Sequence, residues 1–421
     1  MTFDMDSFSF HSPVMFYFSS MRCCVIYSAS ISHQPLAWLT YFLLEVELGN
    51  WKSATLVVIS SVLSTVCAQN YPLVTDSKCN CYRTNTTAAH YFTHHRFFDF
   101  RDMSQYVRVP GAINDPQGAS DAPVTNNYFN DPAWTSVWSI QNWNNSALMN
   151  GSSDVTGSDA TVLMVNSANN IYFDKNQDRG AASKTYMVMR TMRHDKFQSA
   201  SEIESISLGY RYISIRMYAR TRGAPGAVTA MFTFREAPKL AQVQEADLEI
   251  RTVDPTDSIQ YTNQPSWNEA GDIPQATRNV SMPKRGGWSE WQYHRMDWTP
   301  GSTSWFVDGQ PMSSIQFQAP RDASRIMFNS WGDGGSWCGA NMSVGASAEM
   351  QIQWIDIVYN STDATPGNPF TNPGAGGACA ATCSIDLTSK TGTPVLISGP
   401  SGMESIPLYI VCRSSVRLKL Y

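Results

Sequence analysis

The run VQEADLEIRT places three acidic side chains, Glu245, Asp247 and Glu249, at strict two-residue spacing, with Ala246, Leu248 and Ile250 between them. In an extended strand successive side chains point to opposite faces, so the acids share one face and the apolar residues the other. The apolar set suits a core. The acidic set puts three like charges on one surface, which is costly unless some are protonated or used. A solvated strand ordinarily mixes signs. Two plainer roles fit the run taken alone: a charged edge that discourages aggregation, or part of a calcium site, since hard cations take carboxylate oxygens.

The neighbouring sequence is strand after strand. Thr185 to Arg190, Tyr210 to Tyr218, Ala227 to Arg235, Trp291 to Trp298, Ser304 to Val307, Arg325 to Phe328 and Met350 to Tyr359 are rich in β-branched and aromatic residues. Turn signals punctuate them, among them Arg222-Gly223-Ala224-Pro225-Gly226, Asp308-Gly309 and Gly332-Asp333-Gly334-Gly335. Short strands with polar turns and no long helical periodicity predict an all-β sandwich. The Asn-, Asp-, Ser- and Gly-rich region from about 100 to 160 reads as long loops over one face.

Composition narrows the function classes. A formal net charge of -5, with 15% charged residues and 43% hydrophobic ones, fits neither a nucleic-acid binder nor a disordered chain. Thirteen Trp and eighteen Tyr are many, and aromatic faces suit the apolar faces of sugar rings, although most such residues belong in a core.

The first seventy residues differ from the rest. Ser53 to Ala68 follows Lys52, is apolar, and ends with Val66 and Ala68 at the small-residue positions before Gln69, the pattern of a secretory signal peptide cleaved after Ala68. It lies late in the chain, so residues 1–52 read as an alternative or non-native extension. The apolar runs fall short of the ~20 residues a membrane span needs, and Glu45, Glu47 and Lys52 interrupt them. Secretion agrees with sequons at Asn85, Asn144, Asn150, Asn279, Asn341 and Asn360. It also agrees with an even set of cysteines after the cut: Cys79, Cys81, Cys338, Cys379, Cys383 and Cys412. Cys79 and Cys81 are too close to pair comfortably with each other, so each expects a distant partner; the pairing is otherwise open. No CxxC pair suggests zinc, and His90 and His94 lack the intervening Glu of a zinc protease. Residues 69–363 form the main domain, 364–378 a Pro/Gly-rich linker, and 379–421 a short Cys-containing tail.

Several stretches together resemble glycoside hydrolase family 16. The ExDxE run is one. YRYISIRMYARTRGAPGAVTAMFTF resembles the family's paired strands before the catalytic one, and WQYHRMDWTPGSTSWFVDGQ its WTP turn followed by WxVDG. MFNSWGDGG resembles its Asn-x-Trp strand end and QIQWIDIVYN its closing strand, so that residues 97 to 360 match in order. The resemblance implies a jelly roll of two antiparallel sheets with a concave substrate cleft. It implies Glu245 as nucleophile, Glu249 as general acid and then base, and Asp247 as the group that tunes both. Retention needs two carboxyl groups ~5–5.5 Å apart. On a straight strand the Cα atoms of Glu245 and Glu249 stand ~13 Å apart, so a bent strand with inward-leaning side chains is required.

The resemblance further implies that Asn329 and Trp331 contact the sugar beside the cut bond, with Asn263 at a second polar position. Trp288 and Trp337, in Gly-rich loops, are candidates to line the cleft; Trp298 and Trp305, on strands, belong in the core. His294 falls where the family more often has Tyr, in a position suited to a core hydrogen bond. Val243, Gln244 and Ala246 depart from the family pattern around the nucleophile, which puts the cleft wall and substrate choice in question. No cofactor is implied, although a structural calcium is compatible with the sandwich. The expected activity is a secreted or wall-associated monomer cutting β-1,3 or mixed β-1,3/1,4-glucan with retention. Three other readings stand beside it: a wall polysaccharide transglycosylase, which shares every catalytic residue; a non-catalytic carbohydrate-binding protein, against which the three crowded acids argue; and a structural wall glycoprotein, which the six sequons permit but do not require.

Overall fold

The computed structural model describes residues 71–399, other than 87–88, 150–158, 283–286, 340 and 364–378, together with 42–44 and 56–58. The chain divides into two compact units, 1–70 and 71–421. In the first, Phe42–Leu44 pairs antiparallel with Leu56–Val58. The rest of the extension and of the leader, the linker, Asn150 and Cys412 lie outside the described residues.

The second unit is a two-layered sandwich whose sheets are continuous through one strand, Phe197–Ser205. Its first half pairs with Leu163–Asn166 and Thr185–Arg193, and its second half with Arg325–Trp331 and Trp138–Ile140. From there one sheet, the cleft sheet, runs through Arg325–Trp331, Val228–Arg235, Gln244–Arg251, Ser258–Gln264 and Thr277–Ser281. The other, the back sheet, runs through Thr185–Arg193, Ser347–Ser361, Tyr210–Gly223, Gln292–Thr299, Ser302–Val307 and Gln310–Ile315. Neighbours along both series are antiparallel.

Alternation decides which faces meet. Ala246, Leu248 and Ile250 of the cleft sheet share one buried cluster with Ile213, Ile215, Met217 and Met296 of the back sheet. Tyr261 stacks on Trp305 between the layers, with ring centres 5.1 Å apart. Burying a side chain such as Leu248 is worth roughly 1.5–3 kcal/mol, so the apolar half of the acidic run anchors its strand. Trp298 and Trp305 are core residues, and the Trp298 indole donates to the Pro320 carbonyl at 2.7 Å.

The region from 100 to 160 is more than loops. Pro116–Ser120 and Pro132–Thr135 are short helices, with Asp115 accepting from the Gly118 N–H at 2.6 Å and Asp131 from that of Ala133 at 2.8 Å. Each has proline in its first turn, where no N–H is needed. Phe129, Trp134 and Trp138 from this region pack with Phe98, Phe100 and Phe328 inside the core, because rings of this size gain too much from burial to stay on a face.

Cys79 bonds to Cys383 and Cys81 to Cys379. Thr382–Ser384 lies parallel to Cys81–Arg83 and antiparallel to Val395–Ser398. Asp386 is buried against two guanidinium groups of the back sheet, Arg216 at 2.7 Å and Arg295 at 3.3 Å. Residues 379–399 are therefore built into the sandwich as a clamp on its outer face, where the sequence suggests a tail. Cys338 departs from the disulfide set: among the described residues it is a free, buried thiol. Burial and the Asp333 carboxylate, whose Oδ1 lies 3.4 Å from Sγ, push it up to about 12.

His294 is buried among Met217 and Val307, its register neighbours, and neither ring nitrogen has a hydrogen-bond partner. Burial lowers it to about 4, so it sits in the core as a neutral ring and not as the bonded group expected. Asn85, Asn144, Asn279 and Asn341 are exposed, whereas the Asn360 amide is engaged with Thr93 and Tyr91.

Candidate active site

Directly opposed residues of antiparallel strands project from the same face. The register therefore writes the cleft floor in rows. Glu249, Ala230, Asn329 and Glu202 form one row across four strands; Asp247, Phe232, Met327 and Glu204 form the next; Glu245, Phe234 and Arg325 form a third. Ala230 is the smallest member and stands between Glu249 and Asn329, so the floor is open there. Glu245, Asp247 and Glu249 all line one cavity of about 280 Å³, together with Glu202, Asn329 and Trp331. It adjoins a hollow of about 770 Å³ reached past Phe232 and Phe234. The three acids thus open into one groove from a single strand.

Each acid has a distinct environment. Asp247 is buried, and its Oδ2 accepts from Gln264 Nε2 at 3.4 Å. Its Oδ1 meets no N–H or O–H group, and the partner it faces is the Glu245 carboxyl, so a bond between them requires a proton. Burial and the charges of Glu245 and Glu249 hold the Asp247 carboxyl well above its ordinary range. Burial also raises Glu245, while the bond from Asp247 pulls it down. The net effect leaves Glu245 raised to about 8, so the adjacent Glu245 and Asp247 carboxyls share at least one proton between them. Burial lifts Glu249 to about 7, restrained by the Trp337 indole and by Arg251. A carboxyl balanced near neutrality both gives and takes a proton readily.

Trp337 Nε1 donates to Glu249 Oε1 at 3.1 Å, and the Arg251 guanidinium lies 5.2 Å from the centre of the same ring system. Asn329 Nδ2 donates to Glu202 Oε2 at 3.3 Å, and Trp331 lines the groove beside it. Asn329, Trp331 and Trp337 are thus brought to the acids. Asn263 is not. It pairs with Ala246, shares that residue's core parity, and spends its amide on the carbonyls of Ile315 and Phe317. The neighbouring Gln264 is the amide that reaches the acids. Trp288 is also placed elsewhere: it is buried in the core with Nε1 donating to the Pro255 carbonyl at 3.0 Å, because Gly287 lets its backbone tuck against Thr256.

Sequence reasoning missed Glu202 and Trp143. Glu202 accepts from Trp143 Nε1 at 2.9 Å, and burial lifts its carboxyl to about 7 against the pull of that indole and of Asn329. The signal was present: Glu202 and Glu204 flank the core residue Ile203 with the same two-residue spacing as the acidic run. Two of the departures near Glu245 do not shape the groove. Gln244 turns away to bind the backbone N–H groups of Arg321 and Asp322, at 2.6 and 3.0 Å, and Ala246 is in the core. Among the described residues no group of three or more His, Cys, Asp and Glu side chains is placed to hold a metal ion.

Residues 156–356 match the family model described as Glycosyl hydrolases family 16. Among solved structures, the Bacillus licheniformis β-glucanase is 20% identical, with 54% of this chain and 92% of that one covered, at a TM-score of 0.39. A family 16 endo-glucanase from Bacteroides ovatus is 14% identical, covering 53% and 95%, at 0.41. The laminarinase catalytic domain from Thermotoga maritima is 15% identical, covering 59% and 96%, at 0.40. No curated protein matches the chain. The matched stretch holds Glu202, the acidic run, Asn329, Trp331 and Trp337, so the residues that build the groove lie in the part of the chain that is similar to glycoside hydrolase family 16.

Proposed function

We propose that the protein is a secreted hydrolase that cleaves internal β-1,3 or mixed β-1,3/1,4-glucan bonds with retention. One observation carries the reading: a single strand delivers Glu245, Asp247 and Glu249 to one cavity, with Asp247 beside Glu245 as its hydrogen-bond partner and Glu249 poised near neutrality. Glu245 attacks the anomeric carbon as the glycosidic bond breaks, and Glu249 gives its proton to the leaving oxygen. The glycosyl-enzyme ester is then attacked by water, whose proton returns to Glu249, and Glu245 departs as carboxylate. The hollow beyond Phe232 and Phe234 gives the chain room to pass the cut bond, which favours internal cleavage.

Secretion is supported by the Cys79–Cys383 and Cys81–Cys379 bonds, which persist in oxidising compartments, and by the exposed sequons. The test is reducing-sugar release from laminarin and lichenan, read beside product sizes. Products shorter than the substrate support hydrolysis. Products longer than the donor mean that a sugar intercepts the intermediate, as in a transglycosylase, and binding without turnover refutes the reading.

A further inference from the structure

A second groove, of about 1050 Å³, lies on the outer face of the back sheet. Its floor comes from Tyr293, Arg295 and Asp297, which alternate with the core residues His294, Met296 and Trp298, so it opens on the side of the sheet away from the core. It shares no lining residue with the catalytic cleft. We propose that this groove is a second, non-catalytic binding site for a neutral polysaccharide chain.

Its surfaces favour that ligand class. Phe306 is half-buried, with the Arg295 guanidinium 5.0 Å from its ring centre, and the rings of Tyr293 and Trp354 meet nearby at 5.6 Å between centres. Beside them Ser302, Ser304 and Ser314 form a ladder of hydroxyls, bonded at 3.1 and 3.0 Å, along the outermost strands of the sheet. Aromatic faces take the C–H faces of sugar rings, and hydroxyls at the rim take sugar hydroxyls. Charge argues against an ionic ligand. Arg216 pairs with Asp386 at 2.7 Å, Arg295 with Asp297 at 2.7 Å, and Asp356 with His95 at 2.8 Å, so each of these buried charges is matched within the protein. The volume lies just above the roughly 300–1,000 Å³ that small ligands occupy, as an open-ended site for a polymer segment requires.

The test uses the full chain carrying Glu245→Gln, run through native gels with and without laminarin or lichenan. The parent is retarded by one of the two polymers, and Phe306→Ala weakens that retardation about fivefold, the loss of one stacking contact. Ser304→Lys, which sets a long charged chain on an edge hydroxyl without removing core atoms, weakens it similarly. In the active background both variants cleave a short oligosaccharide at the parent rate and the polymer more slowly. Unchanged retardation in both variants overturns the proposal, as does the absence of any retardation. Asn85, a sequon on the rim, accepts from Arg295 at 3.1 Å. If polymer binds only after Asn85→Gln, the groove holds the chain's own glycan and the proposal falls. A chain that is retarded but releases no reducing sugar refutes the hydrolase reading and leaves the groove standing.

Discussion

Trp337 holds Glu249 by a single hydrogen bond, indole Nε1 to carboxylate Oε1 at 3.1 Å. The bond favours the ionised form of Glu249, so it opposes the burial that raises this carboxyl to about 7. Under the proposed mechanism Glu249 must be protonated at the first step, so activity is expected to fall as pH rises through that value. Trp337→Phe removes the donor, keeps the ring, and lets the carboxyl rise further. The basic limb of kcat/KM against pH then moves to higher pH in the variant. A limb that stays in place, or moves down, counts against the bond's role.

Glu249→Gln and Glu245→Gln separate the two reacting groups. Loss of a general acid costs about 10²–10⁴-fold, and the loss is largest where the leaving oxygen most needs a proton. Glu249→Gln therefore suffers more on oligosaccharides than on a dinitrophenyl glycoside, whose leaving group departs unaided. Glu245→Gln loses both activities, since no ester forms. Thermal melts of the two variants close to that of the parent show that chemistry and not folding has been lost.

The bond between Asp247 and Glu245 pulls the Glu245 carboxyl down against the burial that raises it, which favours the charge a nucleophile needs under the proposed mechanism. Asp247→Asn retains a donor at the same place and is the milder change. Asp247→Ala removes it, so the Glu245 pKa rises and the acidic limb of the pH profile moves to higher pH. Equal profiles for the Asn and Ala variants would assign Asp247 a purely structural part.

His95 ties the segment that precedes Cys79 to the back sheet, with Nδ1 2.7 Å from Asp76 and Nε2 2.8 Å from Asp356. Burial alone would lower its pKa; the bonds to Asp356 and Asp76 overcome that and raise it to about 9. Protonated His95 therefore stabilises the fold in full below its ordinary value of about 6.5, and that contribution disappears as pH rises through about 9. Melting temperature should fall between these limits, and His95→Gln should flatten the curve there while lowering its plateau.

Much of the fold was readable because one face of most strands is apolar. Leu248 and Ile250 sit where alternation places them, and Trp298 and Trp305 are in the core. Phe197–Ser205 was not readable: its composition is mostly polar, because it carries Glu202 and Glu204 into the cleft. The polar residue that reaches the acids is Gln264 and not Asn263, and that offset of one residue reverses the face. Trp288 and Trp337 lie in similar Gly-rich surroundings, and only the packing of Trp288 over Pro255 separates core from cleft. The clamp of residues 379–399 depends on Arg216 and Arg295, whose burial needs Asp386 from a distant part of the chain. Nothing local to either segment announces that pairing.

Under the proposed mechanism Glu245 forms a covalent ester which Glu249 then helps water to open. Proton NMR of the reducing end first released from a β-glucan oligosaccharide tests it most directly. The β-anomer is expected to appear first and then mutarotate. Early release of the α-anomer, or the absence of any new reducing end, contradicts it.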